Sequence, residues 1–456
     1  MSRNYDYQYL VIGSGAAGSA AALLAAELGF GTAIVEADCW GGTELNYRDI
    51  PYGAALGFAH RYAEAMSGAR FGISSNNLRY NYAGVLNWQA IATRRAGGGS
   101  KRLFESAGIE CLRGYAQFVG PNLVSIDGLE VRAEKILIAT GSNLTVNGVA
   151  GIDTVNCWSP DTALRIPKIP KVLFVVGAGS TGCELAEYFA ALGSKVLLAE
   201  AQDRILPRED LEVSETMEKH LRDNLQVKVL TGARVVALEQ SDKSKQVIFV
   251  RDGQEKIVRV EEVILATTPE PALDLGLENA GVKYTRRGIQ VDKGLQTSNR
   301  DIWAAGDAIG GESSSEKAAY EGKLATMNAL KKSGNITNYT GFTRMTNTLP
   351  RVAKVGLNET ECWQIKQKYK AAVVPISEVH AAITSDFRTG FVKLLAEPHK
   401  GQILGGTVVA PEADLIIQEI ALAVRNGLKA NELAGTPHVA ASWSQAVWTA
   451  ARKLAS

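Results

Sequence analysis

The feature that leaves this chain least freedom is a unit written twice: apolar strand, glycine loop, helix, apolar strand, glutamate. The first copy begins with Tyr9-Leu10-Val11-Ile12 and continues into Gly13-Ser14-Gly15-Ala16-Ala17-Gly18. An alanine-rich helix expected from about Ser19 to Leu28 follows, then Thr32-Ala33-Ile34-Val35, ending in Glu36. The second copy runs from Val172-Leu173-Phe174-Val175-Val176 into Gly177-Ala178-Gly179-Ser180-Thr181-Gly182. Its helix carries Glu184, and Val196-Leu197-Leu198-Ala199 leads to Glu200. Short apolar runs of this kind suit strands buried on both faces of a parallel sheet. In each loop the first glycine permits the tight turn, the second lets a backbone approach a pyrophosphate, and the third lets helix and strand pack closely. The phosphates then meet free N–H groups at the helix N-terminus, where the dipole favours anions.

Two such units imply two dinucleotides, one a tightly held flavin and the other a diffusible nicotinamide. Glu36 is spaced to bind a ribose diol in the first. Glu200 would repel a 2′-phosphate in the second, which points to NAD(H). Two further strand ends, Ile136-Leu137-Ile138-Ala139-Thr140-Gly141 and Ile302-Trp303-Ala304-Ala305-Gly306-Asp307, read as strands closing onto a cofactor. Asp307 could accept from sugar hydroxyls there, or cap the following turn.

Length and charge agree with a large α/β protein. At 456 residues the chain should hold roughly two to four domains. A formal net charge of +1 gives no reason to expect nucleic acid or an acidic membrane as partner. No stretch approaches the ~18 apolar residues of a membrane span. Cys39, Cys111, Cys157, Cys183 and Cys362 are scattered, without a CxxC or CxxxxC pair. Unpaired, mostly packed thiols in a reducing cytoplasm are the expectation.

Taken in order, these motifs resemble the class I pyridine nucleotide-disulfide oxidoreductases, the group of dihydrolipoamide dehydrogenase, glutathione reductase and mercuric reductase. The resemblance spans essentially the whole chain. It runs through Gly13 to Glu36, Gly41-Gly42-Thr43, Ala139-Thr140-Gly141, Gly177 to Glu200, Gly306-Asp307, Gly390 to Leu394 and Pro411 to Arg425. It implies two Rossmann-like domains, for FAD and NAD, plus a C-terminal α+β dimerisation domain, and hence a homodimer. The implied boundaries are 1–150 and 273–340 for FAD, 151–272 for NAD, and 341–456 for the interface. By resemblance, Gly13, Gly15, Gly18, Glu36, Gly42, Thr43, Thr140, Gly141 and Asp307 serve FAD. Gly177, Gly179, Gly182 and Glu200 serve NAD(H).

The departures cluster where the family does its chemistry. Gly41-Gly42-Thr43-Glu44-Leu45-Asn46-Tyr47-Arg48-Asp49-Ile50-Pro51 is similar to the flavin-facing segment of a disulfide reductase, with Glu44 and Asp49 in place of both redox cysteines. A carboxylate cannot take up two electrons to become a dithiol. The family's Pro-x-Lys reads Pro51-Tyr52-Gly53, although the lysine's ion-pair partner survives as Glu184. The family's His-Pro-Thr-x-x-Glu aligns with Ala440 to Gln445, which leaves His438 as a packed or surface histidine. On the nicotinamide side, the aromatic gate is Ser180, and Thr268 stands where a glycine is usual.

Glu44 and Arg48 are spaced i,i+4 and could form an ion pair. Asp49 has no such partner one turn on, because that residue is Gly53. A carboxyl against an apolar ring has its pKa raised and becomes a usable acid or base near neutrality. Asp49, Glu44 and Glu184 are therefore the catalytic candidates, and the segment offers too few ligands for a metal. Three functions stay open. The leading one is an FAD-dependent oxidoreductase passing electrons from NADH to a small, quinone-like, non-disulfide acceptor. The others are an NADH-independent flavin oxidase or dehydrogenase, and a non-catalytic FAD-binding homodimer.

Overall fold

A computed structural model describes residues 5–74, 77–144, 148–242 and 244–456. It divides into two compact units. The first comprises Met1–Ala55, Asn81–Thr145 and Thr268–Tyr339, and the second Leu56–Tyr80, Val146–Thr267 and Thr340–Ser456.

The first unit is built on a seven-stranded sheet among its described residues. Tyr7–Ile12 lies at its centre, parallel to Thr32–Glu36 on one side and to Leu129–Ile138 on the other. Ile302–Ala304 adds a further parallel strand beside Ile136–Ile138. The central strand reads as apolar because Tyr9, Leu10 and Val11 have no solvent exposure at all. The first helix, Ala16–Glu27, starts three residues earlier than its composition suggested and follows directly on Gly15. It packs against Ser315–Lys331, where a Cβ on Gly322 would lie 2.1 Å from the Ala17 carbonyl oxygen. This close crossing and the Tyr9–Thr326 hydroxyl contact at 3.0 Å tie the middle of that helix to the first helix and to the central strand.

The second unit contains another parallel sheet, Lys228–Leu230, Lys195–Ala199, Val172–Val176 and Glu262–Leu265 in spatial order. It also contains a five-stranded antiparallel sheet ordered Thr343–Thr346, Arg351–Gly356, Ile403–Ala410, Phe391–Ala396, Lys370–Pro375. The helix Ala413–Asn426 covers that sheet, burying Ile416, Ile417, Ile420 and Val424 while leaving Leu415 and Leu422 exposed. The architecture is the mixed α/β one expected, with two dinucleotide-type sheets and an α+β C-terminal region. Among the described residues no helix is long and apolar enough to cross a membrane.

Candidate functional site

Each glycine loop is braced by the glutamate that ends its second strand. Glu36 accepts from the Ser14 amide at 2.9 Å and from the Ser14 hydroxyl at 2.6 Å. The same hydroxyl oxygen takes the Gly41 amide at 3.0 Å, so one buried serine joins the first loop to the Gly41-Gly42 turn. In the second unit Glu200 accepts from the Ala178 amide at 2.8 Å and from the Gln202 amide at 3.0 Å. Both carboxylates thus shape the loop; Glu36 Oε1, which takes the Asp38 amide at 2.8 Å, and both Glu200 oxygens each retain a further lone pair for a ribose hydroxyl.

The loops suit a dinucleotide. A Cβ on Gly18 would stand 1.9 Å from the Gly13 oxygen, and one on Gly182 equally 1.9 Å from the Gly177 oxygen, so only glycine allows the helix to approach its strand. Gly42 adopts φ +63° with its α-carbon side against Gly15, where a Cβ would come within 2.5 Å of the Gly15 Cα. At Gly15 and Gly179, by contrast, a Cβ would meet nothing within 4 Å, and no side chain caps either helix. Open space facing uncapped N–H groups is what a pyrophosphate requires. Thr43 lies in the short helix Gly42–Asn46 that follows. Thr140 donates to the Ala272 carbonyl at 2.9 Å, and the Gly141 carbonyl receives the Ala272 amide at 3.0 Å. Asp307 does not use its carboxylate to cap the turn after it: Oδ2 accepts from Ser142 at 2.7 Å, while the turn is closed by its backbone carbonyl.

The substituted segment differs from a single helix. Gly42–Asn46 ends at Tyr47, whose φ of −128° leaves helical geometry, and a new helix begins at Asp49. The expected Glu44–Arg48 ion pair does not form, because this break removes the i,i+4 relation. Glu44 instead faces acids. Partial burial holds its carboxyl above the ordinary glutamate range, and the charges of Asp49 and Glu316 add to the rise. Asp49 is not partnerless either: the Ser315 hydroxyl donates to Oδ2 at 2.8 Å. Its carboxyl is also raised, first by desolvation although the residue as a whole is solvent-exposed. The Ser315 hydrogen bond and Arg48 oppose the rise, while Glu316 reinforces it. A cavity of about 360 Å³ lies against Ala16, Gly41, Glu44, Leu45, Ser315 and Glu316.

In the second unit one face of the helix Ser180–Ala191 grips the segment after the strand Thr343–Thr346. Thr346 donates to the Ser180 hydroxyl at 2.8 Å, and the Asn347 amide to Glu184 at 2.7 Å. The Leu349 amide donates to Glu187 at 2.9 Å, and His60 meets the same carboxylate at 3.0 Å. Glu184 therefore has a backbone amide as a partner where the resemblance implied a lysine. His438 is engaged on both ring nitrogens, with the Thr436 carbonyl at 2.8 Å and Glu419 at 2.9 Å. All five cysteines are free; Cys183 and Cys362 are buried and the other three only half-buried.

Sequence reasoning missed Ser315, Glu316, Ser142 and the Thr346–Leu349 segment. The run Ser313-Ser314-Ser315-Glu316 has the look of a helix start, and Ser314 does cap that helix by accepting from the Lys317 amide. Nothing in that run announces a partner 266 residues away.

Residues 7–322 match the family described as pyridine nucleotide-disulphide oxidoreductase, and residues 343–451 match its dimerisation domain. A mercuric reductase of Bacillus cereus is 32% identical over 436 residues, spanning 95% of this chain and 69% of the relative. A dihydrolipoyl dehydrogenase of Bacillus subtilis is 30% identical over 94% of this chain and 92% of its own length. Among solved structures, LpdA of Mycobacterium tuberculosis superposes with a TM-score of 0.89 at 25% identity, covering 98% of this chain and 99% of that one.

Proposed function

Because this chain belongs to the pyridine nucleotide-disulphide oxidoreductase family of FAD-dependent, pyridine nucleotide-linked enzymes, we propose that it carries electrons from NADH through FAD to a small non-disulfide acceptor of quinone-like chemistry. What supports this reading is the pair Glu44 and Asp49, two carboxylates with raised pKa in the segment whose resemblance to the family's flavin-facing one implies two sulfurs there. No cysteine lies between Gly41 and Gly53 to relay electrons through a disulfide.

Within this reading the first loop, Gly13, Gly15 and Gly18, and Glu36 would hold the FAD adenosine half, and Thr43, Thr140, Gly141 and Asp307 would line the remainder. Gly177, Gly179, Gly182 and Glu200 hold NADH, and Glu184 orders the Asn347 segment beside that site. When bound, FAD supplies the two-electron store between donor and acceptor. Reducing a quinone to a hydroquinone takes two electrons and two protons; NADH brings both electrons with one hydrogen, and the other proton must come from solvent or a side chain. Asp49 is placed to hold that proton on its carboxyl, oriented by Ser315 Oγ at 2.8 Å. Desolvation and the nearby Glu316 raise the Asp49 carboxyl, which favours its protonated form relative to an ordinary aspartate. A homodimer follows from the dimerisation-domain match, with exposed Leu415 and Leu422 available to the contact.

The test is anaerobic mixing of the yellow protein with NADH. The flavin band should bleach and then return on addition of a benzoquinone; failure to bleach removes NADH from the reaction. A second reading, an NADH-independent oxidase or dehydrogenase, draws on Ser180, whose hydroxyl is tied to Thr346 in place of a swinging aromatic gate. Oxygen consumption with organic substrates and no NADH would favour it.

A further inference from the structure

Glu321 is a buried acid that the proposed electron path does not use. It lies on the helix Ser315–Lys331 with no solvent exposure. Its Oε2 accepts from the Gly306 amide at 2.8 Å and its Oε1 from the Tyr339 hydroxyl at 2.7 Å. The Lys317 ammonium stands 3.7 Å from Oε1, one helical turn back. Burial raises this carboxyl, while the Tyr339 hydrogen bond, the Lys317 charge and the Gly306 amide pull it down.

A carboxylate is costly to bury, and these donors offset that cost. One of them belongs to a turn beside the candidate FAD residues. Gly306 comes directly before Asp307 and adopts φ +71°, where a Cβ would lie 3.3 Å from the Ala17 Cβ and 3.4 Å from the Ala318 Cβ. Three amide hydrogen bonds tie this turn: Ala305 to the Ile138 carbonyl at 3.0 Å, Gly306 to Glu321, and Gly310 to the Asp307 carbonyl at 2.9 Å. Of these, only the second ends on a side chain. The turn so held presents Asp307 Oδ2 to Ser142 at 2.7 Å.

We propose that Glu321 is a positioning residue for FAD, setting the Gly306–Asp307 turn so that the Asp307 carboxylate faces the ribityl half of the cofactor. The inference rests on the reading that Asp307 contacts FAD. Without its acceptor, the Gly306 amide turns toward water and the turn relaxes. Cofactor binding must then draw the turn back, which costs affinity. The contacts from Ser14 to Glu36 that brace the first glycine loop do not pass through this turn. Recognition of the adenosine half is therefore spared, and the two halves of FAD can be tested apart.

The experiment titrates the full-length protein with FAD by flavin fluorescence, with ADP as a competitor of FAD so that only its binding at the first loop is read. Glu321→Met fills similar space without an acceptor. It should raise the FAD dissociation constant by roughly 10–100-fold and leave that of ADP within about threefold. Glu321→Gln should bring FAD binding back to within about threefold of the parent, because its amide oxygen accepts from Gly306 and its nitrogen donates to the Tyr339 oxygen. Glu321→Asp is one methylene too short for Gly306; it should act in the direction of Glu321→Met and takes its place if circular dichroism shows that variant unfolded. In an Asp307→Ala background, Glu321→Met should add less than about threefold. Equal loss for FAD and ADP, no loss for FAD, no recovery in Glu321→Gln, or a full additional loss in that background overturns the proposal. Parent-like FAD binding by Asp307→Ala alone removes the Asp307 reading itself, and the proposal with it.

Discussion

Replacing Asp49 with asparagine tests the centre of the functional reading. The amide oxygen can still accept from Ser315, so the 2.8 Å contact survives in kind. A hydrogen bond to a charged acceptor contributes about 1.5–3 kcal/mol and a neutral one about 0.5–1.5 kcal/mol. Because Asp49 is solvent-exposed, screening brings the difference down to at most about 1 kcal/mol. Removing the repulsion from Glu44 and Glu316 offsets part of that loss. The fold should therefore hardly notice the change. The chemistry should, because an asparagine holds no transferable proton. Loss of a positioned acid slows the step it serves by roughly 10²–10⁴-fold, or about 3–5 kcal/mol of barrier.

Stopped-flow absorbance separates the two halves of the turnover. Bleaching by NADH should stay within about threefold of the parent protein, while recovery with benzoquinone should slow by roughly 10²–10⁴-fold. The sign with pH follows from the direction of the shift. An acid is competent while protonated, so the parent's recovery rate should fall as pH rises through the raised Asp49 pKa. In Asp49→Asn that step in the profile should vanish. Equal slowing of both halves, or of neither, would refute the assignment.

Glu44→Gln should raise the thermal midpoint at neutral pH. Glu44 has a folded pKa above its unfolded one, so its ionised form costs stability above the folded value, and the gain should shrink as pH falls through the carboxylate range. Lys393→Met should destabilise by about 3–5 kcal/mol in chemical denaturation. Its ammonium is almost wholly buried at 3.1 Å from both Asp210 and Glu212 and pairs with Glu359 as well, so the variant leaves three acids facing one another. Gly18→Ala should yield colourless protein, since its Cβ would lie 1.9 Å from the Gly13 oxygen. Gly182→Ala, with the same clash in the second loop, should stay yellow yet resist bleaching by NADH; normal bleaching there would remove the second loop from the nicotinamide site.

The dinucleotide-type sheets were legible because their signal is local. Four or five apolar residues ending in a glycine loop can satisfy themselves only as a buried parallel strand feeding a helix, and Tyr9–Ile12 and Val172–Val176 do so. The carboxylate site was legible in residue identity and misread in partnership. A five-residue interval cannot reveal that the backbone leaves the helix at Tyr47, so the neighbour inferred for Glu44 was Arg48 rather than Asp49 and Glu316.

The order of residues alone decided that two nucleotide folds would form and that no pair of thiols would stand in the segment from Gly41 to Gly53. Both are properties of short windows, where spacing and side-chain chemistry suffice. Tertiary packing decided which groups meet: Ser315 with Asp49, Ser142 with Asp307, and Asn347 with Glu184. Those pairs lie more than 160 residues apart in the chain. Their contact depends on how helices cross and strands register, as where Gly322 lets two helices close on Ala17, and no local pattern encodes that geometry.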